Sequence, residues 1–150
     1  MKFSLTHTFP APREKVFALI TDPLVLQRCI EGCEKMVHTN EDTYEAHMRI
    51  GVAGIKGNYV GNVQLKDKKL PESYTLVIDG KGGPGFLKAT AGIALVDKAG
   101  ATELHCEAEA QAGGMIAAIG SRLIEAVAKK MAESFFKKLA NEVSATQAHS

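Results

Sequence analysis

The side chains through which this chain could do chemistry are three tyrosines, five histidines and three cysteines, and their neighbours decide what each can contribute. Tyr44, Tyr59 and Tyr74 fall on the apolar side of alternating segments. There each hydroxyl offers one hydrogen bond to a carbonyl, which is binding chemistry as readily as catalysis. His47 and His105, with Glu45, Glu107 and Glu109, take the opposite side and read as a solvated sheet surface, since burying Glu107 beside Glu109 would be costly. His7 shares the apolar side of its strand, where a lone histidine reads as a satisfied core residue. Ser121-Arg122 has no aspartate or histidine partner for nucleophilic work. Cys29 and Cys33 stand four apart without a second Cys or His pair, so a zinc site is not expected, and with Cys106 the three read as small, partly buried thiols. The run Gly80-Lys81-Gly82-Gly83-Pro84-Gly85 lacks the Lys-Ser/Thr of a phosphate-binding loop and opens no helix. It reads as a mobile flap, with Phe86 as a plug for whatever opening it covers. No catalytic constellation, metal motif or cofactor motif emerges.

These residues must be positioned by alternating and helical segments. Lys2–Phe9 alternates as a half-buried strand. Pro12 suits the first turn of a short helix with Val16, Phe17 and Ile20 as its apolar stripe. Thr21-Asp22-Pro23 breaks it. A second short helix, Leu24–Ile30, stops at Gly32. Six strand candidates follow: Cys33–Thr39, Tyr44–Val52, Ile55–Lys66, a strand around Tyr74–Asp79, Phe86–Val96 and Thr102–Ala112, with Ala53-Gly54, Asp67–Glu72 and Gly80–Gly85 as turns or loops. After Gly113-Gly114 the period changes. Ile116, Ile119, Leu123, Ile124, Val127, Met131, Phe135, Leu139 and Val143 recur at helical spacing, so one long amphipathic helix is expected over Met115–Val143. Residues 1–143 then form one domain, and 144–150 a polar C-terminal tail.

The resulting fold class is α+β: a curved antiparallel sheet wrapped around a long C-terminal helix, with two short helices after the first strand. This is the helix-grip arrangement. The composition agrees. A chain of 150 residues suits one core, and 45% hydrophobic with 23% charged residues is ordinary for a globular domain. A net charge of +1 gives no overall electrostatic reason to bind nucleic acid. No apolar run reaches a membrane span and Met1–His7 reads as a strand, so the expected location is the cytoplasm.

The inward face is unusually small. Ala46, Gly57, Gly61, Ala89, Ala91, Ala108, Ala110 and Ala112, with Ala117 and Gly120 on the helical side, stand where a packed core calls for Leu or Ile. Either the glycines let the sheet bend and the helix approach, or an apolar cavity remains; both can hold at once. The expected cavity lies between helix and sheet. Its lining is Phe17, Tyr44, Met48, Tyr59, Ile78, Leu87, Ile119, Leu123 and Met131, and its gate is Gly80, Gly82, Gly83, Gly85 and Phe86.

Several linked segments carry a resemblance. Val16-Phe17, Asp22-Pro23, Cys29-Ile30-Glu31-Gly32-Cys33-Glu34, Ile55-Lys56-Gly57-Asn58-Tyr59-Val60-Gly61, Gly85-Phe86, Gly113-Gly114-Met115-Ile116-Ala117, Gly120-Ser121-Arg122-Leu123-Ile124 and Phe135-Phe136-Lys137-Lys138-Leu139 together resemble the G-subunit family of carbon monoxide dehydrogenase. Glu31 and Gly54 stand where many members have proline. The resemblance implies a START-like (SRPBCC) helix-grip fold. It also implies an accessory role beside a molybdenum hydroxylase of the carbon monoxide dehydrogenase type, in membrane recruitment or in handling the quinone that accepts its electrons. The leading expectation is therefore a carrier for an apolar small molecule, quinone- or lipid-like, with contact at the inner face of the membrane. The alternatives are a cyclase- or hydrolase-type enzyme using the cavity tyrosines, and a pure interaction protein without a working cavity.

Overall fold

A computed structural model describes residues 1–52 and 54–148, with side chains up to residue 144. Ala53 of one expected turn, and His149 and Ser150 of the expected tail, lie outside the described residues. The elements run β1 (Lys2–Phe9), α1 (Arg13–Ile20), α2 (Pro23–Cys29), β2 (Cys33–Asn40), β3 (Thr43–Ile50), β4 (Gly57–Lys69), β5 (Ser73–Gly82), β6 (Gly85–Lys98), β7 (Ala101–Gly114), α3 (Met115–Ala118) and α4 (Ser121–Ala148). All seven strands join one antiparallel sheet in the order β1-β7-β6-β5-β4-β3-β2. Only β1 leaves sequence order, because the two short helices carry the chain across the concave face to the far edge. The helix-grip expectation is met.

The local signals act through ordinary capping chemistry. The Asp22 carboxylate accepts the Leu24 N–H at 2.9 Å and caps α2, whose first residue is Pro23. Gly32 ends the α2 segment at φ +85°, where an added Cβ would lie 2.5 Å from the Arg49 carbonyl oxygen, so only glycine fits.

Four expectations need correction. The terminal helix is two helices. Gly120 at φ +92° interrupts the backbone between α3 and α4, and it faces open space, as Ala117 is also exposed, so neither narrows the interior. The helix also continues to Ala148, through most of the expected tail. Finally, Gly80–Gly85 is no loop. Gly80 and Gly82 pair with Leu87 and Gly85 as the last rungs of the β5–β6 ladder, and only Gly83-Pro84 makes the turn. Glycine weakens strands but does not forbid them, and long-range pairing decides here. The same holds for Asp67–Lys69, which extend β4.

The core sits at one end of the grip. Phe9, Val16, Phe17, Ile20, Cys29, Leu95, Leu104, Leu139 and Val143 are almost fully buried there. Thr102, the one buried polar side chain among the described residues, donates from Oγ1 to the Ala11 carbonyl at 2.6 Å. His7 stacks on Phe136 at 5.2 Å and lies 4.6 Å from Phe9, as a core-facing histidine should. Its half-burial lowers its pKa and favours the neutral ring.

Candidate functional site: the open end of the grip

Cross-strand register shows where the small residues meet. Ala46 pairs with Gly61, Gly61 with Gly80, Gly80 with Leu87 and Leu87 with Ala112. These five form one row across the inner face. A Cβ added to Gly61 would meet only strand backbone, the nearest atom being the Gly80 Cα at 3.8 Å, although Gly61 itself is buried. A Cβ on Gly80 would meet only the Leu87 carbonyl oxygen, also at 3.8 Å. No helix side chain stands within 4 Å of either of these two Cβ positions, while Ala46 in the same row is buried in the core cluster. At the other end of the same strands, Leu65, Tyr74, Ile93, Leu95 and Leu104 fill the space and are buried.

The helix follows the sheet. The backbone of α4 runs closest to α1, α2 and β1. Its C-terminal half buries Phe136, Leu139 and Val143, and Arg28 of α2 holds Glu142 with a two-pronged contact at 2.8 and 3.1 Å. From Ser121 to Met131, by contrast, no side chain is buried, and Leu123 is 44% exposed. A crevice of about 360 Å³ opens between this half of α4 and the end of β3. Ile50, Val52, Val127 and Met131 supply apolar walls, and Glu31, Arg49 and Lys130 border it. Ile50 and Met48 share a strand face and Met48 pairs with Tyr59, so the apolar floor continues inward.

The expected lining residues divide accordingly. Phe17 and Tyr44 belong to the packed core. Met48 and Ile78 lie at its edge, and Tyr59, Leu87, Ile119 and Met131 are half-buried outside it. Met131 is the one expected residue that lines the crevice itself; Ile50, Val52 and Val127 join it without a signal in the sequence that marks them. Leu123 is exposed on α4 and does not line the crevice. Ile119 meets the turn after β3, where a Cβ on Gly54 would lie 3.1 Å from its Cγ2.

The gate residues are placed differently from expectation. Phe86 shares the outward face with Lys88, whose Nζ lies 5.9 Å from the ring centroid, and the ring covers Gly113. Leu87 takes the inward face, so the inward side chain of this hairpin is Leu87 and Phe86 does not plug the opening. The turn itself is anchored: the Ile116 N–H donates to the Pro84 carbonyl at 3.0 Å, and Pro84 lies against Gly57.

The tyrosines are committed to the fold. Tyr59 donates its hydroxyl to the Ile55 carbonyl at 2.5 Å. Tyr74 packs edge-on to Phe17 at 5.7 Å, and burial pushes its phenol far above the usual range. Tyr44 stacks on His38 at 4.9 Å. Burial also raises all three cysteine thiols, which keeps them protonated. Outside the sheet, His47–Glu45 and His105–Glu103 pair at 2.8 and 2.6 Å as parts of the polar surface. A second depression, also of about 360 Å³, lies on that outward face among Val77, Asp79, Lys88, Thr90, Glu109 and Gln111, where Asp79 Oδ1 is buried without a partner. Among the described residues no His, Cys, Asp and Glu group could hold a metal ion, and no helix is long and apolar enough to cross a membrane.

A curved seven-stranded sheet gripping a long C-terminal helix, packed at one end and open at the other, defines a START-like helix-grip protein. The likeness to solved structures agrees. A START superfamily protein from Mycobacterium smegmatis has a TM-score of 0.74 at 12% identity, covering 97% of this chain and 98% of that one. A Thermus thermophilus protein has a TM-score of 0.73 at 14% identity, covering 97% and 99%. Nearer in sequence, a conserved protein from Geobacillus kaustophilus is 35% identical over 97% of each chain, with a TM-score of 0.94. No curated protein matches. The family model of the carbon monoxide dehydrogenase G subunit, CoxG, matches residues 7–144, and the chain belongs to that family.

Proposed function

We propose that the protein is a carrier for an apolar small molecule, quinone- or lipid-like, that serves a molybdenum hydroxylase of the carbon monoxide dehydrogenase type. The observation that supports this reading is the apolar crevice between α4 and the end of β3, which opens to the surface, together with the small inward residues Ala46, Gly61, Gly80 and Ala112 further along the sheet. Apolar pockets with few polar groups are the usual form of a small-molecule site. Membership of the CoxG family supports an accessory role. The carrier works in the cytoplasm, at the inner face of the membrane where quinone and lipid reside. The hairpin end Gly80–Leu87, with Leu87 as its inward side chain, is its gate. An enzymatic role for the tyrosines is disfavoured by their commitments, above all the Tyr59 bond to Ile55.

The test fills the space. Gly61→Leu puts a side chain where only backbone stands nearby, so the variant keeps its melting temperature and loses binding of a quinone analogue. A variant that melts early, together with a wild type that binds no lipophile, defeats the carrier reading in favour of a pure interaction protein. Overpacking a filled core costs about 1–3 kcal/mol, which a melting curve resolves.

A further inference from the structure

The crevice beside α4 is apolar along its walls and positively charged at its border. Arg49 ends the outward row of β3 and Lys130 stands on α4 between Val127 and Met131, and both border the same opening. Neither joins an ion pair among the described residues, whose pairs are Arg28–Glu142, His47–Glu45, Lys68–Asp42 and His105–Glu103. Glu31 borders the crevice too, so two cations face one anion. A purely apolar ligand has no use for that excess. We infer that the crevice takes an amphiphile with an anionic head, a carboxylate or phosphate, held by Arg49 and Lys130 while its tail lies on Ile50, Val127 and Met131. The inference rests on the carrier reading and narrows its ligand. Arg49 offers a planar fork that matches either head group, and Lys130 a mobile point charge.

The experiment compares dodecanoate with dodecanol on the intact chain, each displacing a bound fluorescent lipophile at pH 8. Both present the same tail, and only one carries charge. Dodecanoate is expected to bind about fivefold more tightly at low salt, a preference that shrinks in 0.5 M salt, as exposed ion pairs require. Arg49→Gln with Lys130→Gln removes the preference, so that the two probes bind alike; Glu31→Gln enlarges it. Equal affinity for the two probes, or a preference that survives the double variant, overturns the inference while the carrier reading stands. If neither probe binds and a quinone analogue does not bind either, both readings fall. Vesicles of phosphatidylglycerol, with phosphatidylcholine as control, identify the source. Retention on the anionic vesicles that the double variant loses assigns the head group to a phospholipid, and a dodecanoate preference without retention assigns it to a free fatty acid.

Discussion

The two halves of α4 carry the same kind of apolar repeat and meet different surroundings. Leu123, Val127 and Met131 in the first half are spaced like Phe135, Leu139 and Val143 in the second, yet Leu139 and Val143 are wholly buried while Leu123 is 44% exposed. The difference lies in what stands opposite. Large side chains of β1, β6, β7, α1 and α2 form the core around the second half, and the first half faces the end of β3 across the crevice. Apolar periodicity therefore states that a helix face wants cover, and the opposing elements decide whether it receives any. One end of this molecule is closed by packing, and the other leaves an open crevice beside α4.

The comparison breaks most readily at the packed end. Leu139→Ala is expected to cost about 2–5 kcal/mol in urea unfolding, whereas Leu123→Ala stays within about 0.5 kcal/mol. Equal losses would mean that the first half of α4 is as well packed as the second. Gly120→Ala forces a side chain into a left-handed backbone at the α3–α4 break and is expected to cost about 1–2 kcal/mol. Ligand affinity should change with it, because the break sets how α4 leaves the open end.

A pH measurement probes the packed end more gently. His7 is held neutral between Phe9 and Phe136, with its pKa below the usual 6.5. The unfolded chain therefore binds this proton first. The contribution is complete above pH 6.5 and is lost as pH falls through the lowered folded value. His7→Phe should flatten the stability profile below pH 6.5, and an unchanged slope would contradict the assignment. Smallest of all, Glu142→Gln weakens an exposed ion pair with Arg28, and its effect on melting should vanish in high salt. Hydrogen exchange along the β5–β6 hairpin tests the gate: exchange at Gly82–Gly85 faster than at Tyr74–Ile78 supports it, and equal protection removes it.

Much of this is legible in the residues. Alternation places Tyr44, Val63, Leu95 and Leu104 inward and Glu45, His47, Lys88 and Glu109 outward, because each strand residue reverses the face of the one before. Proline and capping residues mark α1 and α2, and Gly32 marks the stop. The crevice is legible only in part. Met131 can be picked out, while Ile50, Val52 and Val127 cannot, since nothing in their types separates a crevice wall from a core wall. Gly80 reads as loop and is a paired strand residue, because its partner Gly61 lies nineteen positions away in a register that long-range pairing sets.

What the chain decides by itself, then, is the set of faces: which residues seek cover, where backbones must turn left-handed, and that a long apolar stripe closes the sequence. Those properties follow from side-chain chemistry and local sterics. Which faces are in fact covered is settled by tertiary structure alone. The alignment of Ala46, Gly61, Gly80 and Ala112 into one row, and the burial of the second half of α4 but not the first, depend on pairings and packing between segments far apart in the chain.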